Sequence, residues 1–136
     1  MNRIYEILKN TAGFAGKLKL DEAKNRLMIV FHEYLCLTYI EGNYTTARDE
    51  GLIRLNDDVT HWHIQEDEEA MEIVTTIAGG DLVFLEKHLV WRNTELKLMD
   101  RLKLMDKEKF EKKKERYMRK KSLRIYTGTE IIKRDG

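Results

Sequence analysis

The chain has 136 residues, 42% of them hydrophobic and 36% charged, with a net charge of +1, a single cysteine and no proline. That length supports one core plus an appendage and argues against two substantial domains. One cysteine excludes an internal disulfide framework, and no stretch reaches the roughly 18 apolar residues of a membrane span.

The start, "MNRIYEILKN", lacks the continuous apolar run of a signal peptide, so neither secretion nor membrane insertion is expected. Cys36, inside "LMIVFHEYLCLTYI", reads as a small buried hydrophobe in a reducing compartment. The expected location is the cytoplasm. Because proline breaks helices and is common in loops, its absence predicts long helices and a mainly α fold.

In chain order, Ile4, Ile7 and Leu8 follow helical spacing, which predicts a short amphipathic helix over residues 2–10, broken by the glycines of "TAGFAGKLK". A second helix is expected from about Leu20, with Asp21 and Glu22 in its first turn, to about Glu41. Its nearly all-round apolar surface between Leu27 and Ile40 marks a central core helix. Tyr44 to Glu50 reads as a short helix, and "LIRL", "ND" and "DVTHWHI" resemble two strands around a tight turn, a small β-hairpin at about 52–64.

Glu66, Asp67, Glu68 and Glu69 crowd the first turn of a further helix whose apolar face is Ala70, Met71, Val74, Ile77 and Ala78, ended by Gly79 or Gly80. From Leu82 to Tyr126 there is neither proline nor glycine. Leu82, Leu85, Leu89, Leu96 and Met99, with Leu98, Leu102 and Met105 beside them, predict one helix of about 40 residues, roughly 60 Å long. Its distal half should leave the core. The last stretch, "LRIYTGTEIIKRDG", predicts a short hairpin or an extended tail. The expected organisation is a helical core over 1–100 and a basic helical extension over 101–136.

The near-zero net charge hides two opposed blocks. Residues 107–124 hold ten Lys/Arg against three Asp/Glu, a balance of +7, and residues 49–72 hold nine acids against Arg54, a balance of −8. The basic block makes Lys109, Lys112, Lys113, Lys114, Arg116, Tyr117, Arg119, Lys120, Lys121 and Arg124 the candidate binding residues. Lysines and arginines neutralise phosphates, and Tyr117 or Tyr126 would stack on exposed bases. The plainer reading is a solvated helix in which Glu108, Glu111 and Glu115 pair with Lys112, Lys114 and Arg119. Asp57, Asp58, Glu66, Asp67, Glu68 and Glu69 form the candidate acidic face for a partner or a neighbouring copy.

In "THWHI", His61 and His63 would share one side of a strand, with Asp57 or Asp58 as further metal ligands; the default is a half-exposed hairpin face with Trp62 on the core. No metal and no cofactor is expected.

Arg26 and His32 in "NRLMIVFHEY" resemble the active-site motif of HEPN-type ribonucleases, in which an Arg lies four to six residues from a His. His32-Glu33-Tyr34 is similar to the H-x-Y extension of some members. The resemblance covers nine residues of 136. It implies a small all-α domain that dimerises so that paired Arg and His attack RNA. The alternative is that His32 and Glu33 edge a core helix, with Arg26 paired to Glu33.

The reading with fewest assumptions is a non-enzymatic, oligomeric helical adaptor, in the style of phage or mobile-element accessory proteins and then cytoplasmic or virion-associated. Its basic C-terminal helix would contact an acidic protein surface or a neighbouring copy, the copies pairing along the apolar stripes of residues 82–105. A nucleic-acid-binding regulator acting through 107–124 is the first alternative and a HEPN-like ribonuclease the second.

Overall fold

A computed structural model describes residues 2–14, 16–42, 50–55, 61–87, 90–91, 94–95 and 102–134. Instead of the expected mainly α, helical core, two antiparallel sheets dominate, and the described helices are short. The chain divides into two compact units, Met1–Thr75 and Thr76–Gly136.

The first unit opens with helix α1 (Asn2–Lys9), as expected, seating Ile4 and Leu8 in the core and leaving Ile7 exposed. Five strands follow as a meander in sequence order: β1 (Leu18–Asp21), β2 (Arg26–His32), β3 (Leu35–Ile40), β4 (Gly51–Leu55) and β5 (His61–Ile64). Three of them replace the predicted helix of residues 20–41. Burial alternates: Leu27 and Ile29 on β2, Leu35, Leu37 and Tyr39 on β3, and Ile53 and Leu55 on β4 are buried, while Met28, Val30, Cys36, Thr38 and Ile40 are half-exposed. The register Ile29↔Leu37↔Leu55 and Leu27↔Tyr39↔Ile53 stacks the buried set on one face.

The physical reason lies in side-chain type. Ile29, Val30, Phe31, Thr38, Tyr39 and Ile40 are β-branched or aromatic, stiff in a helix and well packed on a pleated surface. Glu33 and Tyr34 close the β2–β3 hairpin, where the Tyr34 backbone N–H donates to His32 Nδ1 at 3.1 Å. The β4–β5 pairing matches the hairpin expected at about 52–64, although its turn, with Asp57 and Asp58, lies outside the described residues, as does the helix expected over Tyr44 to Glu50.

Helix α2 (Asp67–Ala78) forms where the sequence predicts it. Ala70, Val74 and Ile77 are buried, and Gly80 at φ +79° ends the run in the left-handed conformation open to glycine.

The long helix expected from Leu82 to Tyr126 does not form. In its place stand β6 (Leu82–Lys87), the short pair β7 (Val90–Trp91) and β8 (Thr94–Glu95), β9 (Leu102–Asp106), helix α3 (Lys107–Met118), β10 (Leu123–Tyr126) and β11 (Ile131–Lys133). The four-stranded sheet has the order β11-β10-β6-β9. Both β9 and β10 run antiparallel to β6, so α3 carries the chain across β6 between them. Val83, Leu85, Met105, Leu123 and Ile125 pack with Phe110 and Tyr117 of α3 in one core.

On the opposite face of that sheet Phe84 stacks on Tyr126 at 5.4 Å, and Glu86 is cross-paired with Arg124. β6 is therefore buried on both faces from Val83 to Glu86, and a continuous apolar run of this kind shows no period by which to tell strand from helix. The C-terminal hairpin is present. Gly128 in its turn presses against the carbonyl oxygen of Ile77, which a Cβ would approach to 2.0 Å.

Candidate functional site

Residues 107–118 of the basic block fold as a 12-residue helix on a sheet rather than as a projecting rod, and Arg124 lies on β10. Asp106 caps it, its Oδ1 accepting from the Lys109 backbone N–H at 2.8 Å. Phe110 and Tyr117, two turns apart, point inward and stack at 6.2 Å, and the residues between them are all exposed. Tyr117 and Tyr126 are both buried, so neither offers a free ring face for base stacking.

At 3.6 residues per turn the charges of α3 separate into columns. Glu108, Glu111 and Glu115, spaced by three and four, share one flank within about 60°. Lys109, Lys113 and Arg116, spaced by four and three, share another within about 60°, extended past the helix by Lys120, whose Nζ lies 5.2 Å over the Tyr117 ring. Lys112 pairs with Glu108 at 4.0 Å, and Lys109 with Asp106 at 4.0 Å. Lys113 and Arg116 have no carboxylate at i±3 or i±4: Lys109, Phe110, Arg116 and Tyr117 surround the first, and Lys112, Lys113, Arg119 and Lys120 the second. Like charges at this spacing cost about 0.2–0.5 kcal/mol per pair, a local penalty that folding alone does not explain.

Lys114, Arg119 and Lys121 are exposed near these columns. Arg124 is engaged elsewhere, its guanidinium 3.3 Å from the buried Glu86 carboxylate, which also accepts the Tyr126 hydroxyl at 2.6 Å. Arg124 thus anchors the sheet.

The acidic residues of the first unit begin α2. Asp67 accepts the Tyr39 hydroxyl at 3.1 Å, Glu69 accepts the Gln65 backbone N–H at 3.5 Å, and Glu66 and Glu68 are exposed. Carboxylates at a helix N-terminus are stabilising without any partner. A recess of about 160 Å³ lined by Ile4, Ile7, Asp67, Glu68 and Met71 is well below the usual size of a small-molecule pocket.

Arg26 and His32 stand at the two ends of β2, six residues apart and so about 20 Å from one another in extended chain. The all-α fold implied by the HEPN resemblance is not the fold of this unit. His61 and His63 do share one side of β5, with ring centroids 5.0 Å apart. Glu50, which sequence reasoning missed, sits diagonally across from His63, its Oε1 2.6 Å from Nδ1 and its Oε2 accepting from Gln65 at 2.9 Å. Only the β4–β5 register brings it there.

Burial raises the Cys36 thiol above its ordinary range, offset in part by the nearby Lys19 charge. Such a thiol is a poor nucleophile. Among the described residues no helix is long and apolar enough to cross a membrane. Comparison with known protein families, curated proteins and solved structures finds no match.

Proposed function

We propose that this protein is a non-enzymatic adaptor that docks an acidic protein surface along the outward face of α3. The observation that supports the reading is the cation column of Lys109, Lys113 and Arg116, in which Lys113 and Arg116 have no carboxylate at helical spacing, continued by Lys120, beside a column of glutamates. A nucleic-acid backbone carries negative charge alone and would be repelled by Glu108, Glu111 and Glu115. A protein partner carrying an acidic strip flanked by cations complements both columns, and such matching sets register and on-rate more than raw affinity. Buried Tyr117 and Tyr126 remove the stacking that single-strand binding commonly uses. Of the apolar stripes of 82–105 that would favour self-pairing, Leu82, Leu85, Leu102 and Met105 are strand residues, so the acidic protein surface is the reading retained.

The test compares an acidic helical peptide flanked by lysines with a 20-nucleotide single strand and a duplex, each followed by fluorescence anisotropy against the full chain. The expected result is peptide binding that weakens with salt and is lost in Lys113→Glu/Arg116→Glu. Changing Glu108, Glu111 and Glu115 to Gln should weaken the peptide and strengthen both nucleic acids. Tight oligonucleotide binding by the parent, with the peptide unbound, would replace the adaptor with a nucleic-acid-binding regulator.

A further inference from the structure

We propose that His61 and His63 form a two-imidazole seat for a borderline transition-metal dication, Cu²⁺, Ni²⁺ or Zn²⁺, with Glu50 holding His63 in its ligating tautomer. This site lies on the first unit and is independent of the α3 reading. Strand alternation puts both histidines on the same side of β5, and both are exposed, His63 with 58% of its side chain accessible.

Metal–nitrogen bonds of about 2.0–2.1 Å put each ring centre about 3.2 Å from a shared ion. Ring centroids 5.0 Å apart then subtend about 100° at that ion, between the square-planar and tetrahedral values. The rings now meet edge to face at 84°, so ligation requires the exposed His61 imidazole to turn about χ2 while Glu50 keeps His63 in place, with no movement of the strand.

Glu50 is the second observation. Its carboxylate lies 2.6 Å from His63 Nδ1 and is itself held by Gln65 at 2.9 Å. A carboxylate on one imidazole nitrogen fixes the proton there and turns the other nitrogen's lone pair outward, the arrangement that supports ligating histidines in metal centres. Any contact His61 makes through one ring nitrogen is compatible with ligation through the other. Arg54, paired across from His61, opposes the bound cation and favours the metals that bind imidazole most tightly, copper first.

Among the described residues no group of three or more His, Cys, Asp and Glu side chains surrounds one point, so two imidazoles and water complete the shell. The site is thus an open chelate rather than a closed structural centre.

The test uses the full chain without an affinity tag, titrated with Cu²⁺ and Ni²⁺ by calorimetry and examined by electron paramagnetic resonance of the copper form. One equivalent is expected, with two nitrogen ligands in the spectrum. His61→Ala and His63→Ala should each weaken binding by about 100-fold, because the second ligand acts at high effective concentration. Glu50→Gln should weaken it by about tenfold. His32→Ala, at the β2–β3 hairpin, should leave it unchanged, and circular dichroism checks each variant's fold. Binding that survives either His61→Ala or His63→Ala at parent strength, or a copper spectrum with a single nitrogen, overturns the proposal.

Discussion

The five-stranded sheet of Met1–Thr75 and the four-stranded sheet of Thr76–Gly136 solve the same burial problem differently. In the first, Leu27, Ile29, Leu35, Leu37, Tyr39, Ile53 and Leu55 go inward while the alternate residues stay half-exposed or exposed, so the sheet is built on one buried face. In the second, β6 is buried on both, with Val83 and Leu85 under α3 and Phe84 and Glu86 on the reverse. One-faced burial tolerates polar neighbours at every second position; two-faced burial forces every polar atom to find a partner. Glu86 meets that demand with Arg124 and Tyr126.

The comparison breaks most sharply at the second unit's corner. Gly128→Ala should cost about 4 kcal/mol or more, because its Cβ would meet the Ile77 carbonyl oxygen at 2.0 Å, and urea unfolding with hydrogen exchange should show the loss in residues 76–136. Gly13, at φ +95° with open space around it, supplies the contrast: Gly13→Ala should cost only the backbone strain of about 1–2 kcal/mol.

Glu86→Ala should cost about 3–5 kcal/mol by leaving Arg124 without its buried partner, and Tyr126→Phe about 1–3 kcal/mol by removing one hydrogen bond to a carboxylate. Equal costs for those two variants would show that the ion pair adds nothing. In the one-faced sheet, by contrast, Thr38→Val on the half-exposed side should shift stability by less than about 0.5 kcal/mol.

The smallest effect concerns Cys36. Its folded thiol ionises at higher pH than the unfolded one, so the unfolded state loses its proton first. Stability from this group is intact at neutral pH and declines as pH rises above about 8.5. Thiol alkylation at pH 8 should be slower in the native chain than in urea, and a Cys36→Ser variant should flatten the alkaline side of the stability profile.

Several local features are legible in the amino-acid sequence. Helix α1, helix α2 with its acidic first turn, the β4–β5 pairing and the C-terminal hairpin each follow from spacing or turn chemistry over about ten residues. The two long helices that periodicity predicts fail for one shared cause. Residues 27–40 and the β6 stretch Leu82–Leu85 are apolar almost continuously, which erases the difference between a period of 2 and one of 3.6. The absence of proline points both ways, because central strands exclude it as firmly as helices do. The β-branched and aromatic residues of 29–40 are the signal that favours strands.

The basic block is visible at once, but its meaning depends on the shortened helix. Only with Phe110 and Tyr117 turned inward does the division of α3 into a cationic and an acidic column become a property of the surface. Likewise the His61 and His63 pair is readable from alternation, and Glu50 is not, because eleven and thirteen residues separate it from them. Composition and short-range periodicity by themselves determined the charge blocks and the elements whose patterns are unambiguous. Tertiary structure alone decided which apolar runs became strands, which charges were neutralised and which carboxylate reached which imidazole, since strand pairing joins residues whose separation in the chain leaves no local trace.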